Sequence, residues 1–307
     1  MTGKLFLCFA AISAPTLTAA QDISFSGAAT LGLGFHDLSD ISQDIRTNSL
    51  EGRLDFTFES GFTFGVDAGH VGVKIDDVPF DLSADFVGLR GGYGFASGVS
   101  LGLYHEQLNA GADILPIDIS LKSTGVTAGY QMEGLEFGAF VGQSKTSPSL
   151  SPDIDFEDFG LTAKYSAVAG LTLGAAFLRT TIDTPGIDID LDFAGLAASY
   201  SVSDQISVFG GVSKTSLDLI EADATTMGLG LGYALPEMGG VNSTVSLELA
   251  RTDLSVLGTD VGNMDTIRLG LTIPLGSKGT EAPLNSVADS VFNPRHSAIN
   301  AGLTSAF

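Results

Sequence analysis

Residues 171–200 read LTLGAAFLRTTIDTPGIDIDLDFAGLAASY, and the alternation in them decides the fold. Leu171, Leu173, Ala175 and Phe177 share one side of a period of two, with Thr172, Gly174 and Ala176 on the other. That is the pattern of a strand whose two faces meet different surroundings. A Pro185-Gly186 pair and a run of aspartates break it over 183–192, and Leu196, Ala198 and Tyr200 then resume it. Ser203-Asp204 turns the chain, and the alternation starts again. The unit is an antiparallel hairpin.

The hairpin repeats along nearly the whole chain. Turn signals stand at Ser60-Gly61, Ala96-Ser97-Gly98, Met132-Glu133-Gly134, Val168-Ala169-Gly170, Ser203-Asp204 and Met238-Gly239-Gly240. Neighbouring turns lie about 35 residues apart, the mark of an array of one repeated unit. Two strands of roughly 11 residues, a tight turn and a loop of roughly 10 residues fill one period. Tyr93, Tyr130, Tyr165, Tyr200 and Tyr233 each fall a few residues before a turn, a spacing that predicts an aromatic girdle at a membrane interface.

Composition narrows the class. Residues 1–20 carry one charge, Lys4, an apolar run over 5–12 and small residues at Thr18-Ala19-Ala20, which together predict a secretory signal. The single cysteine, Cys8, lies inside that signal, so the exported chain is expected to have no disulfide. Loss of Lys4 moves the formal net charge from −22 to −23. Such an acidic chain repels phosphate backbones, which excludes nucleic acid as a partner. Charged residues are only 16% of the chain, below the usual quarter, while no apolar run after residue 20 is long enough for a membrane helix.

The second face of the strands is the deciding one. Gly228, Gly230 and Gly232 with Thr226, and Ser207, Gly211 and Ser213, show it as small and weakly polar. A soluble sandwich would carry charge there, whereas the lumen of a closed barrel tolerates this composition. Closure also removes the sheet edges that a bilayer forbids. The fold expected is all-β: a closed antiparallel transmembrane β-barrel of about 14 strands, with 16 as the alternative. Short turns would face the periplasm and longer acidic loops the outside, those loops gathering Asp37, Asp40 and Asp44, Asp76, Asp77 and Asp81, and Asp153, Asp155 and Glu157 among others. Residues 1–20 would be the signal, 21–276 the barrel and 277–307 a tail that either hangs in the periplasm, the preferred arrangement, or folds into the lumen.

Catalytic constellations are weak. His36, His70, His105 and His296 show no metal-ligand spacing, and His105-Glu106 reads as a solvated pair rather than a hydrolase site. No enzyme is expected, and no cofactor beyond Ca²⁺ or Mg²⁺ held by acidic loops, with Asp188, Asp190 and Asp192 as an unspecific Ca²⁺ candidate. The glycines of 228–232 read as lumen spacers, and glycine-lined walls favour an open bore. Parity turns Glu51, Arg53, Asp55, Asp67, Arg90, Glu106, Glu136, Lys164, Glu248 and Arg268 inward, where they would line a pore. Acids outnumber bases among them, which predicts weak cation preference.

The mature start QDISFSGAATLGLGF and the hairpins GLTLGAAF and FAGLAASYSVSDQISVFGG resemble the Gram-negative porin family, in particular its alphaproteobacterial members, over roughly residues 21–276. The resemblance implies an outer-membrane trimer, in contact with lipid and lipopolysaccharide, that passes small hydrophilic solutes. The chain departs from the family pattern in its strand count, its tail and a third loop, 109–116, too short for a strong constriction. Two functional readings follow: a passive diffusion channel, or a structural barrel with a closed lumen whose acidic loops bind cations or surface partners.

Overall fold

The computed structural model describes residues 23–39, 41–78, 80–112, 119–149, 154–238, 241–276 and 279–306. The signal at 1–20 with Cys8, the loop acids Asp40 and Asp153, residues 113–118 with the end of the third loop, and the terminal Phe307 lie outside them.

Fourteen strands form one closed barrel. They are β1 (Ile23–Leu38), β2 (Ile41–Phe58), β3 (Phe62–Ile75), β4 (Leu82–Gly94), β5 (Val99–Ala112), β6 (Ile119–Met132) and β7 (Leu135–Ser147), then β8 (Asp155–Tyr165), β9 (Leu171–Thr184), β10 (Ile187–Ser201), β11 (Ile206–Leu217), β12 (Ala222–Met238), β13 (Val241–Val256) and β14 (Thr259–Gly276). Each pairs antiparallel with its sequence neighbours, and β1 closes on β14 from Ser26 opposite Gly276 to Leu38 opposite Met264. No sheet edge is left for a bilayer to meet. Gly61, Gly98, Gly134 and Gly170 close four of the short turns at φ of 90, 86, 83 and 75°, a left-handed conformation that costs glycine least.

Parity separates two surfaces as the alternation requires. Leu31, Leu33, Leu101, Leu103, Val126, Leu229, Leu231 and Leu249 stand exposed on the outside, whereas Thr30, Asp67, Ser123, Thr180 and Ser213 on the intervening positions are buried inside. An apolar exterior and a polar interior invert the soluble pattern, and only lipid makes that arrangement stable. Among the described residues no helix is long and apolar enough to cross a membrane; the strands cross it. Leu229, 65% exposed at mid-strand on β12, therefore faces acyl chains. Leu229→Arg should destabilise the folded barrel by about 2–4 kcal/mol in bilayers, measured by denaturant titration of vesicle-embedded protein; no loss would remove that face from the lipid.

The tyrosine row falls into line. Tyr93, Tyr130, Tyr165, Tyr200 and Tyr233 sit opposite Phe62, Val99, Leu135, Leu171 and Ile206, the first or second residues past the neighbouring turns. Tyr93 also meets Phe62 and Phe95 edge-on, at 5.1 and 4.9 Å between ring centroids. The other end differs from expectation. Strands run to 18 residues in β2 and β14, and the aspartate run of 183–192 is not a loop: β9 and β10 continue through it, leaving Pro185-Gly186 between them. Ile187, Ile189 and Leu191 keep alternating with Asp188, Asp190 and Asp192, and Arg179 on β9 neutralises two of those carboxylates, so pairing is retained above the apolar band.

The tail takes the lumenal arrangement rather than the preferred periplasmic one. Two helices, α1 (Val287–Phe292) and α2 (Ala298–Ala306), pack inside the barrel, and every residue of α1 is buried. Helical rather than strand periodicity explains why the alternation stops after Gly276. Ser286 caps α1 by accepting a hydrogen bond from the Asp289 N–H at 3.1 Å.

Candidate lumenal site

Four strand glycines make room for α1. A Cβ added at Gly174, Gly195 or Gly228 would lie 2.6, 2.5 and 2.8 Å from side-chain atoms of Phe292, Val291 and Val287, and one at Gly211 would lie 3.2 Å from the Ala288 backbone. Gly211 and Gly228 face each other directly across β11 and β12. Of the glycines read as lumen spacers, Gly228 belongs with Gly174, Gly195 and Gly211 to a cradle, where absent side chains let a helix approach the wall, whereas Gly230 and Gly232 lie against Phe209 and Ser207 of the wall. Beside them Leu178, Phe193 and Phe209 join Val291, Phe292, Ala298 and Ala301 in one apolar cluster.

The opposite wall holds the tail by charge. Arg53 donates from both terminal nitrogens to the Asp289 carboxylate, at 2.9 and 3.0 Å, and from Nε to Asp67 at 2.9 Å. Arg90 also donates to Asp67, and to Asp55 at 2.8 Å. Such fork-to-carboxylate contacts are geometrically specific as well as strong. Glu248 accepts from the Val287 N–H at 3.1 Å and from Arg268 at 3.0 Å, while Arg268 also donates to the Ser305 carbonyl at 3.2 Å. Glu106 accepts from the His296 N–H at 3.1 Å, and its other oxygen lies 2.7 Å from His296 Nδ1. The imidazole stacks on Tyr104 with 3.9 Å between centroids.

Lys164 donates to Glu281 at 3.3 Å and to Asn293 at 3.5 Å. Burial pushes the Glu281 carboxyl up, but the Lys164 ammonium, a backbone hydrogen bond and the Arg53 charge together outweigh that and hold it below its ordinary 4.5. A depressed carboxyl stabilises the docked state above the free value and loses that contribution as pH falls through the docked value. Acid, not base, should therefore loosen the entry of the tail. Limited proteolysis across pH 3–7 reads this, and equal protection throughout would remove the Lys164–Glu281 contact from the account.

Of the ten inward charges expected from parity, Arg53, Glu106, Lys164, Glu248 and Arg268 bond the tail directly, and Asp67, Asp55 and Arg90 support Arg53. Glu51 is buried on β2, and Glu136 is exposed near the turn end of β7. Parity also gives Asp158, which that reading omitted. It accepts from Ser144 and, at 2.6 Å, from Thr180, whose hydroxyl oxygen in turn accepts from the Ala298 N–H at 3.0 Å. His105 and Glu106 point to opposite faces of β5, His105 to Thr124 at 2.7 Å outside and Glu106 to the tail, so they form no joint site. Asp188 lies opposite Asp183, Arg179 holds Asp190 and Asp192, and no group of three or more potential ligands is arranged for a metal among the described residues.

A family model described as Gram-negative porin matches residues 23–219. The chain belongs to the Gram-negative porin family. The match spans the barrel from β1 through β11, so this porin is an outer-membrane channel protein by family, and its closed barrel is the fold of such proteins. Among solved structures, an anion-selective porin from Comamonas acidovorans is similar at a TM-score of 0.53 and 12% identity, over 83% of this chain and all of that one (100%). OmpT of Vibrio cholerae, as expressed in the outer membrane, gives 0.48 and 12%, over 84% and 99%. A FadL homologue of Pseudomonas aeruginosa gives 0.46 and 13%, over 82% and 89%. The first supports the barrel fold and nothing finer. No curated protein matches the porin in sequence.

Proposed function

We propose that this porin is a passive diffusion channel for small hydrophilic solutes and ions, with weak cation preference and no catalytic activity. The observation that carries the reading is the wall itself. The inward carboxylates Glu51, Asp55, Asp67, Glu106, Glu136, Asp158 and Glu248 outnumber the inward cations Arg53, Arg90, Lys164 and Arg268. Fixed charge of one sign enriches counter-ions in a narrow water-filled bore. The assembly we propose is a homotrimer. Its seam would use the outer face of β6–β11, where Ala128, Ala139, Ala163, Ala175 and Ala194 line a shallow apolar trough of about 830 Å³ that a neighbouring barrel could fill.

Planar-bilayer recording tests all three statements, on the full chain and on a variant ending at Gly276. Ohmic steps in either, inserting in threes and reversing toward the potassium potential in a KCl gradient, are expected. Reversal toward chloride would contradict the cation preference, single steps the trimer, and silence in both the channel.

The packed tail favours a second reading: a structural barrel with a closed lumen that presents its acidic loops to surface partners. Silence of both proteins, shown to be folded, would select it.

A further inference from the structure

We propose that residues 280–306 are an autoinhibitory plug, and that the pore conducts only when they withdraw toward the turn side of the barrel. The proposal rests on the channel reading and adds the device that closes it. Three features of the lumen carry it.

The tail blocks the bore at mid-height. Val287, Ala288, Ala298 and Ala301 are wholly buried, and contacts reach strands all around the wall, from Arg53 on β2 through Glu106 on β5 and Lys164 on β8 to Arg268 on β14. Beside it on the turn side lie a hydroxyl-lined cavity of about 360 Å³ and a smaller one of about 140 Å³, both bounded by Thr280 and Glu281 of the tail.

The seat is built for a removable occupant. Its apolar half, the glycine cradle with Leu178, Phe193 and Phe209, touches one side of the tail only. The other half sets wall charges among the Tyr104, Phe140 and Phe86 rings, against which His296 and Arg295 lie, and water can solvate those charges once the tail is gone. An apolar seat all round would be stable only when filled; a half-charged one can stand open.

The path exists. β14 ends at Gly276 opposite Ser26, at the turn end of β1, so the tail enters from the end that faces the periplasm in such barrels. Withdrawal reverses that entry without crossing the barrel wall.

A disulfide lock tests the proposal. A Cβ at Gly195 would stand 3.5 Å from the Cβ of Val291, inside the 3.5–4.5 Å or so that a disulfide spans. Cys8, the one native cysteine, belongs to the segment expected to be cleaved, so Gly195→Cys with Val291→Cys introduces the only thiols of the mature chain. The pair is made in the full chain, refolded, and recorded oxidised and then reduced beside the variant ending at Gly276. Loss of steps on oxidation, their return with reductant, and steady conduction by the shortened barrel are expected. An oxidised lock that conducts as well as the shortened barrel would overturn the plug while leaving the channel standing. If the shortened barrel fails to fold, the oxidised and reduced states of the lock decide alone. Silence of every folded form would remove the channel reading, and the plug with it.

Discussion

Phe292→Ala should free the tail. The ring is 5% exposed, lies against the bare backbone of Gly174, and has the Lys164 ammonium 5.9 Å from its centroid. Removing a buried phenyl ring costs about 3–5 kcal/mol in transfer and cavity terms, and the lumen cannot collapse to fill the gap because hydrogen-bonded strands fix its bore. The docking equilibrium should fall roughly 150- to 4,000-fold. Tryptic cleavage between Arg295 and His296 reads the change, since Arg295 is held over the Phe86 ring at 3.7 Å and is cut only when released. In the regime where closing outpaces cleavage, the rate follows the population of the open form. Cleavage at the unmodified rate, with the barrel folded, would mean that the apolar half of the seat contributes nothing.

Asp289→Ala should have the next largest effect, by a different route. It leaves the Arg53 guanidinium with Asp67 alone, in a site where Arg53 is 11% exposed. Truncating one member of a buried, hydrogen-bonded charge pair costs about 2–5 kcal/mol. Asp67 stays in place and water reaches Arg53 after release, so the lower part of that range, about 2–3 kcal/mol or roughly 30- to 150-fold, applies. Salt separates the two variants. Docking by the unmodified chain and by Phe292→Ala should weaken between 0.1 and 1 M salt, and docking by Asp289→Ala should respond less, because its strongest pair is already gone. A double variant with Arg53→Leu should cost less than the sum of the single changes, because both remove one contact.

The barrel was legible because parity alone sets which way a strand residue faces. Arg53, Glu106 and Arg268 point inward for the same reason as Thr30 and Ser213, and no tertiary knowledge is needed to see it. Lys164 was placed by this rule, and Asp158, six residues earlier on the same strand, follows from it equally. What parity cannot give is the partner. Glycine at an inward position is compatible with open water or with a helix pressed against it, and Gly174, Gly195, Gly211 and Gly228 have the second role.

The tail's place stays open between periplasm and lumen as long as only strand alternation is sought in it. Its signals are those of short helices: Ser286 three residues before Asp289, and Val287 and Val291 one helical turn apart. Helices of 6 and 9 residues are too short to stand alone, so their presence already implied a surface to fold against. The loop side differs from expectation for the opposite reason. Aspartates suggested a loop, whereas the Ile-Asp alternation of 187–192 kept the strand going, with Arg179 supplying the counter-charge.

The most direct test of a membrane-spanning barrel filled by its own tail is a spin-label accessibility scan in bilayers, with single cysteines placed in turn at 226–233 on β12 and 287–292 on α1. Oxygen, which partitions into lipid, should reach 227, 229 and 231 strongly and the alternate positions weakly, while α1 should be shielded from both oxygen and an aqueous nickel probe. A period of two on β12 with α1 open to the nickel probe would place the tail outside the lumen. No period on β12 would contradict the barrel itself.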